Sequence, residues 1–233
     1  MEGRFVPVPA ALVALVVAAG CANDGSTTGR SGGARDAAPE VARGSIDVVS
    51  PDAPGALRFF TGTLDGTDAR IGVVAAEHHA RLYFCGGDST YTTLSRWVPA
   101  AVAASGQLLP DTAAETSWVV EGTLASSAVD GSLRPDDASA YQFRAERVDE
   151  RTIAGLYEGT SPCGKVGLIV SQSSPEESPV AQGACITSTG DGTADVHQVN
   201  PVAPLTRAAD GTIAVQVAGT SETLRLTPAL VAD

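Results

Sequence analysis

The sequence predicts an all-β fold, a single antiparallel barrel or sandwich with at most one short helix, that follows a disordered tether. From Pro51 onward, short runs of alternating apolar and polar residues are separated by Gly, Asp and Pro, at a spacing typical of all-β domains. No segment has the length and period of a helix that could connect parallel strands, so antiparallel pairing is expected. Residues 21–50 lack apolar periodicity, which places the β domain at 51–233.

The first twenty residues have the layout of a secretory signal peptide. Met1–Arg4 carries one basic residue, and Phe5–Gly20 is apolar apart from its prolines. Pro7 and Pro9 interrupt this stretch, which is also too short to span a membrane. We therefore expect residues 1–20 to be removed on export.

Cys21 directly follows the small residues Ala18-Ala19-Gly20. This ending resembles the lipobox of bacterial lipoproteins, in which signal peptidase cuts before a cysteine whose thiol then carries a diacylglycerol. The resemblance implies lipidation of Cys21 by two or more acyl chains, which is enough for stable anchoring. An ordinary secreted protein is the alternative. The lipoprotein interpretation places the chain in the cell envelope, anchored to a membrane and facing the periplasm or the exterior.

Residues 21–50 are expected to form a disordered linker between the anchor and the β domain. The segment is rich in Gly, Ser, Thr, Asp and Ala, and it offers too little apolar surface to offset the entropy of ordering. As a flexible coil it has a root-mean-square reach of roughly 30 Å. We interpret it as a spacer.

The chain is acidic, with a formal net charge of −12, and Lys165 is its only lysine. Binding to a phosphate backbone needs clustered Lys or Arg, so nucleic acid is excluded as an expected partner. The same composition disfavours a polybasic second membrane signal. The expected contact with the membrane is therefore the lipid anchor alone.

The clearest predicted hairpin spans residues 70–85. A turn at His78-His79 pairs Glu77 with Ala80, and places Val73 opposite Phe84. A slip of one residue would mix the two faces, so this register is well specified. One face is then uniformly apolar and contains Ile71, Val73, Ala75, Leu82 and Phe84.

Further strands are predicted by the same alternation. Tyr141, Phe143 and Ala145 alternate with polar residues. Near the end of the chain, Ile213, Val215 and Val217 can face Leu224 and Leu226 across a turn. The remaining expected strands are 56–64, 117–124, 152–158, 165–171 and 180–188.

One short helix is predicted at 92–98. Thr92 or Thr93 could cap it, and Pro99 would end it. Leu94 and Val98, four residues apart, would share one face of this helix with Trp97.

The cysteines predict one disulfide. Lipidation would use Cys21, which leaves three. A hairpin centred near Ser174 places Cys163 opposite Cys185. A disulfide between them would close a loop of about 22 residues and stabilise the fold by about 3 kcal/mol in the chain-entropy model. Cys85 would then be a packed free thiol, although a bridge from Cys85 to either partner stays open. In this register the cysteines lie opposite a face made of Val166, Leu168, Val170, Val180, Ala184 and Ile186.

No metal, cofactor or catalytic set is predicted from the sequence. His78-His79 could be a metal site, but neighbouring side chains diverge in a turn and no second ligand cluster has suitable spacing. A catalytic role for His197 is not expected, and no G-x-S-x-G motif occurs. Cys85 could be a catalytic nucleophile, but a cysteine at the end of a strand is more often a packed residue, and we favour that interpretation.

The acidic and aromatic residues each have a functional and a structural interpretation. The segments 65–68 and 190–195 resemble calcium loops but lack the full ligand series, so tight turns are favoured. Asp136-Asp137 and Asp149-Glu150 could supply paired carboxylates for acid–base catalysis. We favour the alternative, that they are solvated charges in loops. A ligand groove lined by aromatic residues is the alternative to their burial in the core. These residues are Tyr83, Tyr91, Trp97 and Trp118.

Several segments between residues 56 and 187 resemble uncharacterised secreted β-rich proteins and lipoproteins of high-GC bacteria. They include Ala80–Gly87, Ala154–Tyr157 and Gly167–Val170. The resemblance implies an exported β domain and carries no known catalytic residues.

The expected function is that of an exported, lipid-anchored protein of the cell envelope, acting as a binding or structural module. Its partner would be an envelope protein or a glycan. The alternative is an envelope-acting hydrolase, which requires a cleft that joins distant acids or His197.

Overall fold

The computed structural model describes residues 56–110, 117–136, 138–188, 194–201, 204–217 and 220–230. All of these lie within one compact unit, Asp47–Asp233. The predicted signal peptide at 1–20, the lipidated Cys21 and the linker at 21–50 lie outside the described residues.

The first half of this unit is a closed antiparallel barrel of eight strands, each paired with its neighbour in sequence. The last strand returns to the first, with Ala145 opposite Gly62, and this pairing closes the barrel. The strands are β1 (Arg58–Leu64), β2 (Arg70–Ala75), β3 (His79–Cys85), β4 (Arg96–Val102), β5 (Gln107–Pro110), β6 (Val119–Leu124), β7 (Ala128–Arg134) and β8 (Tyr141–Arg147).

Side chains fill the interior of the eight-stranded barrel. Phe84 packs inside it, with ring centroids 5.8 Å from Phe143 and 6.2 Å from Trp118. Every strand contributes at least one apolar residue to the same buried cluster, and most contribute alternate ones. An interior of this strand number is just wide enough for side chains to fill, and here they do so.

The second half is a closed antiparallel barrel of six strands. Its first strand pairs with both the second and the last, which closes the ring. The strands are β9 (Gly155–Ser161), β10 (Gly164–Ser171), β11 (Val180–Ser188), β12 (Ala194–Pro201), β13 (Ile213–Val217) and β14 (Thr223–Pro228).

The predicted all-β, antiparallel class is confirmed, but the strands form two barrels instead of a single barrel or sandwich. Each barrel closes by a pairing between strands far apart in sequence, β8 with β1 and β14 with β9. The alternating pattern is the same before and after the connection at 148–154, so local sequence does not mark where the first barrel ends.

The helix predicted at 92–98 is wrong, and the described residues contain no helix. The chain turns at 88–93 and continues as β4, whose Val98, Ala100 and Val102 are buried in the first core. A spacing of four residues, as between Leu94 and Val98, fits the period of a strand as well as that of a helix. Among the described residues there is likewise no helix long and apolar enough to cross a membrane.

The β2–β3 hairpin has the predicted faces but a register shifted by two residues. Val73 lies opposite Leu82, and Ile71 lies opposite Phe84. The backbone N–H of Ala76 donates to the carbonyl of His79 at 2.8 Å, so the turn is centred on Glu77-His78. A shift of two preserves which side chains share a face, which is why the face assignment survives.

The predicted disulfide between Cys163 and Cys185 is present, but the predicted β10–β11 register is wrong. Cys185 lies opposite Val166, and Cys163 lies in the turn between β9 and β10. The shift is odd, so Cys185 faces the second core while Ala184 and Ile186 face the first barrel. Both faces of this sheet are buried, so hydrophobicity does not distinguish the two registers.

Two further predictions are confirmed. In β8, Phe143 and Ala145 are buried while Gln142 and Glu146 are exposed. In the last hairpin, Ile213 lies opposite Leu226 and Val215 opposite Leu224.

A third apolar cluster joins the outer faces of the two barrels. Tyr83 of β3 is fully buried there, and its ring stacks on Trp97 at 4.5 Å. Its hydroxyl donates to the carbonyl of Ala184 at 3.3 Å and accepts from the N–H of Ala184 at 3.1 Å. Gly167 gives the ring room, since a Cβ at that position would lie 2.6 Å from two ring carbons.

An ionic cluster borders this apolar contact. Arg81 of the first barrel donates to both carboxylate oxygens of Glu158 in the second, at 3.1 and 2.7 Å. Lys165 approaches the same carboxylate at 3.2 Å, and the backbone N–H of Leu230 donates to it at 3.0 Å. Arg81 and Lys165 also lie 4.4 and 4.6 Å from the ring centroid of Trp97.

Candidate functional site

The connections of the eight-stranded barrel are unequal at its two ends. Tight turns at 76–78, 103–106 and 125–127 close one end. Longer connections, including 86–95 and 135–140, lie at the other, which we call the loop end. Binding residues concentrate on loops that a rigid scaffold holds, so a binding site is expected at the loop end.

The β3–β4 loop at 86–95 is held in a fixed shape by side chains. The carboxylate of Asp68 accepts hydrogen bonds from the backbone N–H and the hydroxyl of Ser89, at 2.8 and 2.6 Å, and from the hydroxyl of Thr90. These bonds, led by the Ser89 hydroxyl, hold the pKa of Asp68 well below its ordinary value. The hydroxyl of Ser95 accepts from the N–H of Gly86 at 3.1 Å, which closes the loop at its base.

Glycine at position 87 is required by this close contact between loops. A Cβ on Gly87 would lie 2.6 Å from the carboxylate carbon of Asp68. The glycine pair after β3 therefore serves loop packing.

A cavity of about 390 Å³ opens at the loop end. We call it the loop-end cavity. Its walls come from the β3–β4 loop, the start of β6, the β7–β8 loop, the start of β8 and one strand of the second barrel. The lining residues are Thr92, Thr93, Leu94, Ser95, Arg96, Trp118, Pro135, Asp136, Ala138, Tyr141, Ala194 and Val196.

Three side chains give the loop-end cavity its chemistry. The guanidinium carbon of Arg96 lies 4.9 Å from the ring centroid of Trp118, a cation–π contact. The indole N–H of Trp118 donates to Asp136 at 3.4 Å, and the hydroxyl of Ser117 donates to the same carboxylate. A cation is thus held over the face of one buried indole and an anion at its N–H, an arrangement suited to hydrogen bonding a polar ligand.

A second, more polar cavity of about 310 Å³ lies between the barrels on the other side of the β3–β4 loop. Gln198 of β12 donates to Asp88 at 3.1 Å. Gln182 of β11 donates to the carbonyl of Asp68 at 3.3 Å and to that of Cys85. Its polar groups are thus engaged in joining the two barrels, and the loop-end cavity is the stronger candidate site.

The histidines are not brought together. His78 lies in the β2–β3 turn with its side chain 69% exposed, 3.8 Å from Glu77. His197 contacts Asp195 at 3.2 Å on the surface of β12. Within the part of the chain that the structure describes, no three His, Cys, Asp or Glu side chains group as metal ligands.

The acidic segments behave mainly as turns. Gly66 has a φ of +71°, and the loop around it forms the β1–β2 turn. Asp149 pairs with the neighbouring Arg151 at 2.6 Å on the surface. Most of the segment 190–195 and Asp137 lie outside the described residues.

Cys85 is a free cysteine, buried between the barrels. Desolvation by burial raises the pKa of its thiol to about 11, against hydrogen bonds that lower it. A protonated, enclosed thiol is a poor nucleophile, so the structure favours the packed residue.

The four aromatic residues divide between the two predicted uses. Tyr83, Tyr91 and Trp97 lie in the contact between the barrels, whereas Trp118 lines the loop-end cavity. Sequence reasoning missed Arg96 and Tyr141 as site residues. The regular alternation of tight and long connections was the one signal that could have drawn attention to them.

Comparisons with protein-family models, with curated proteins and with solved structures find no match for this chain.

Proposed function

We propose that the protein is an exported, lipid-anchored binding module of the cell envelope, with the loop-end cavity as its ligand site. The observation that carries the proposal is the difference between the interior and one end of the eight-stranded barrel. Its interior is filled with side chains, while one end holds a cavity lined by the fixed polar groups of Arg96 and Asp136. Concave sites with a few placed polar groups are the usual form of a binding site.

The scaffold supports this function because it holds the site rigidly. Hydrogen bonds donated to Asp68 by Ser89 and Thr90 fix the β3–β4 loop, and Ser95 closes its base. A ligand therefore meets a preformed surface and loses less affinity to ordering of the protein.

A hydrolase, the second possibility that the sequence left open, lacks a comparable observation. It requires a cleft that joins a nucleophile to a base. His197 contacts Asp195 on the exposed face of β12. Neither residue lines the loop-end cavity or the cavity between the barrels.

The anchor predicts a change of compartment. Replacing Cys21 by serine removes the thiol that would carry the diacylglycerol, so the protein should move from the membrane fraction to the soluble fraction. Fractionation of cells producing each form measures this. Intact-mass spectrometry of the parent should show a mature chain that begins at Cys21 with added acyl mass. An unmodified first residue would refute the anchor and leave the cavity unaffected.

The site predicts a loss of binding on removal of one charge. Arg96→Gln keeps the length of the side chain but loses its cation. Capture of an envelope component by the mature Cys21→Ser chain should then fall about tenfold, as expected for a lost charged hydrogen bond. The matched control is Arg144→Gln, an exposed arginine paired with Asp130 on the outer face of β8.

Capture is measured by quantitative mass spectrometry of detergent-solubilised envelope retained on the immobilised protein. The proposal expects at least one component kept by the parent and by Arg144→Gln, and lost with Arg96→Gln. Identical retention by all three proteins would show that the loop-end cavity is not the ligand site.

A further inference from the structure

The outer edge of β12 is only partly paired. On one side β12 pairs with β11 from Gly183 to Ser188. On the other side it pairs with β13 only at Val199, Asn200 and Pro201. The backbone of Ala194–His197 therefore has a strand on one side and, among the described residues, none on the other.

In the part of the chain that the structure describes, β13 pairs with only one end of β12. The N–H of Thr220 donates to the carbonyl of Val217, the last residue of β13 that pairs with β12. The chain returns as β14, where Thr223 lies opposite Gln216. In the described residues β13 ends at Val217, opposite Val199, and is not paired with His197. A strand edge with unpaired N–H and C=O groups is a template for another extended chain.

This open edge lies beside the candidate site. Ala194 and Val196 line the loop-end cavity, and no residue of β11 is among its lining. Asp195 and His197 alternate with them and point to the other face, where the side chain of Asp195 is 62% exposed. A strand added here would place alternate side chains in the cavity and beside Asp195.

We propose that the ligand of this module is an extended, basic peptide segment of a partner protein, which adds as a strand to the edge at Ala194–His197. The inference rests on the proposed function, because it uses the same cavity and names what fills it. Backbone hydrogen bonds to the edge supply affinity that does not depend on sequence, and alternate side chains supply the selection.

Charge determines the kind of peptide. Asp195 stands on one face of the edge, and Lys or Arg side chains at alternate positions of an added strand would all lie on that face. On the other face the cavity holds both Arg96 and Asp136, whose charges balance, and the Arg96 guanidinium would donate to a backbone carbonyl of the strand. The whole chain carries −12, so a segment with Lys or Arg at alternate positions is attracted, and an acidic one is repelled. Small β-branched side chains suit the positions between them, next to Ala194 and Val196.

The probe is a synthetic seven-residue peptide of alternating lysine and valine, blocked at both ends, titrated into the mature Cys21→Ser chain at low salt. Two isomers carry the same side chains and charge, but backbone N-methyl groups are placed either on the valines or on the lysines. In a strand only alternate amides face the edge. One isomer should therefore bind as the parent peptide does, and the other should bind at least tenfold more weakly.

Amide hydrogen exchange locates the bound peptide. Alternate amides within Ala194–His197 should become protected when the parent peptide is added. Asp195→Asn should weaken binding about threefold or more at low salt, whereas the matched change Asp130→Asn on the first barrel should not.

Equal binding of both N-methyl isomers would mean attraction by charge alone and would overturn strand addition. Absence of saturable binding, or protection confined to other strands, would overturn it as well. If the peptides fail while envelope capture still depends on Arg96, the cavity remains the binding site and only the peptide ligand is refuted.

Discussion

Replacing Gly167 by alanine is expected to lower the free energy of unfolding by about 3 kcal/mol, at the upper end of the usual cost of overpacking. The new Cβ would lie 2.6 Å from Cε1 and Cζ of Tyr83, well inside van der Waals contact. The ring has little freedom to move away. Both of its hydrogen bonds with Ala184 and its stacking on Trp97 hold it in place.

A double-mutant cycle tests this explanation. Tyr83→Leu removes the ring, so Gly167→Ala should cost less than about 1 kcal/mol in that background. The graded control is Gly72→Ala in the same contact. Its Cβ would meet only the flexible side chains of Leu156 and Ile169, at 3.0 and 3.1 Å, and should cost about 1 kcal/mol.

Chemical denaturation at neutral pH measures the parent and the four variants. If Gly167→Ala is as tolerated as Gly72→Ala, or if its cost is unchanged when the ring is removed, the contact between the barrels is not packed as described.

Replacing Glu158 by glutamine is the second large effect, an expected loss of about 3 kcal/mol at pH 7. The carboxylate binds Arg81 and Lys165, and the side chains of Glu158 and Arg81 are only 19% and 14% exposed. Glutamine leaves the two cations near each other without a counter-charge. Removing one partner of a largely buried ion pair costs about 3–5 kcal/mol, and the lower value fits this partly exposed site. For a chain of this size the melting temperature should fall by about 6–12 °C.

The same pair predicts a dependence on pH. Desolvation by burial raises the pKa of Glu158, but the hydrogen bond from Arg81, the N–H of Leu230 and the charges of Arg81 and Lys165 together lower it from 4.5 to about 2. Because the pKa is lower in the folded state, the stabilisation is complete above pH 4.5 and is lost as the pH falls toward 2. With a discount for partial exposure it amounts to about 2 kcal/mol.

The difference in stability between the parent and Glu158→Gln should therefore shrink as the pH is lowered from 4.5 to 2. Asp130→Asn is the matched control, since it breaks the exposed pair with Arg144 and should cost less than about 0.5 kcal/mol at any pH. A constant difference across this range would exclude the ion pair as its source.

Register was the least predictable property of the strands. In the β2–β3 hairpin the error was two residues, so Ile71, Val73 and Leu82 still share the predicted buried face. In β10–β11 the error was odd, and Ala184 faces the first barrel instead of the second core. Alternation fixes the register only where one side of a sheet is exposed to water, and both hairpins are covered on both sides, since Tyr83 and Cys85 are buried too. The β2–β3 faces were predicted correctly because the register error there was even.

The candidate site was less predictable than the strands. Trp118 and Asp136 were recognised as residues of interest, but each also had an ordinary structural explanation. Arg96 fell within a predicted helix that does not form. The cavity requires the ends of β4, β6, β8 and β12 to meet, and local patterns contain no information on which strand ends are neighbours.

The sequence by itself determined that the domain is all-β and antiparallel, and which side chains of most hairpins are buried. It indicated the Cys163–Cys185 bridge, but it left a bridge from Cys85 open and derived the pair from a register that is wrong. These properties follow from period-two alternation and from residue chemistry, which act over a few neighbouring positions. Only the tertiary structure decided that the strands close into two barrels, that Tyr83 is buried between them, and that no described strand pairs with the outer edge of β12 at Ala194–His197 beside a cavity. Those properties depend on pairings between distant segments, whose energies are set by how whole surfaces fit and leave no local trace in the chain.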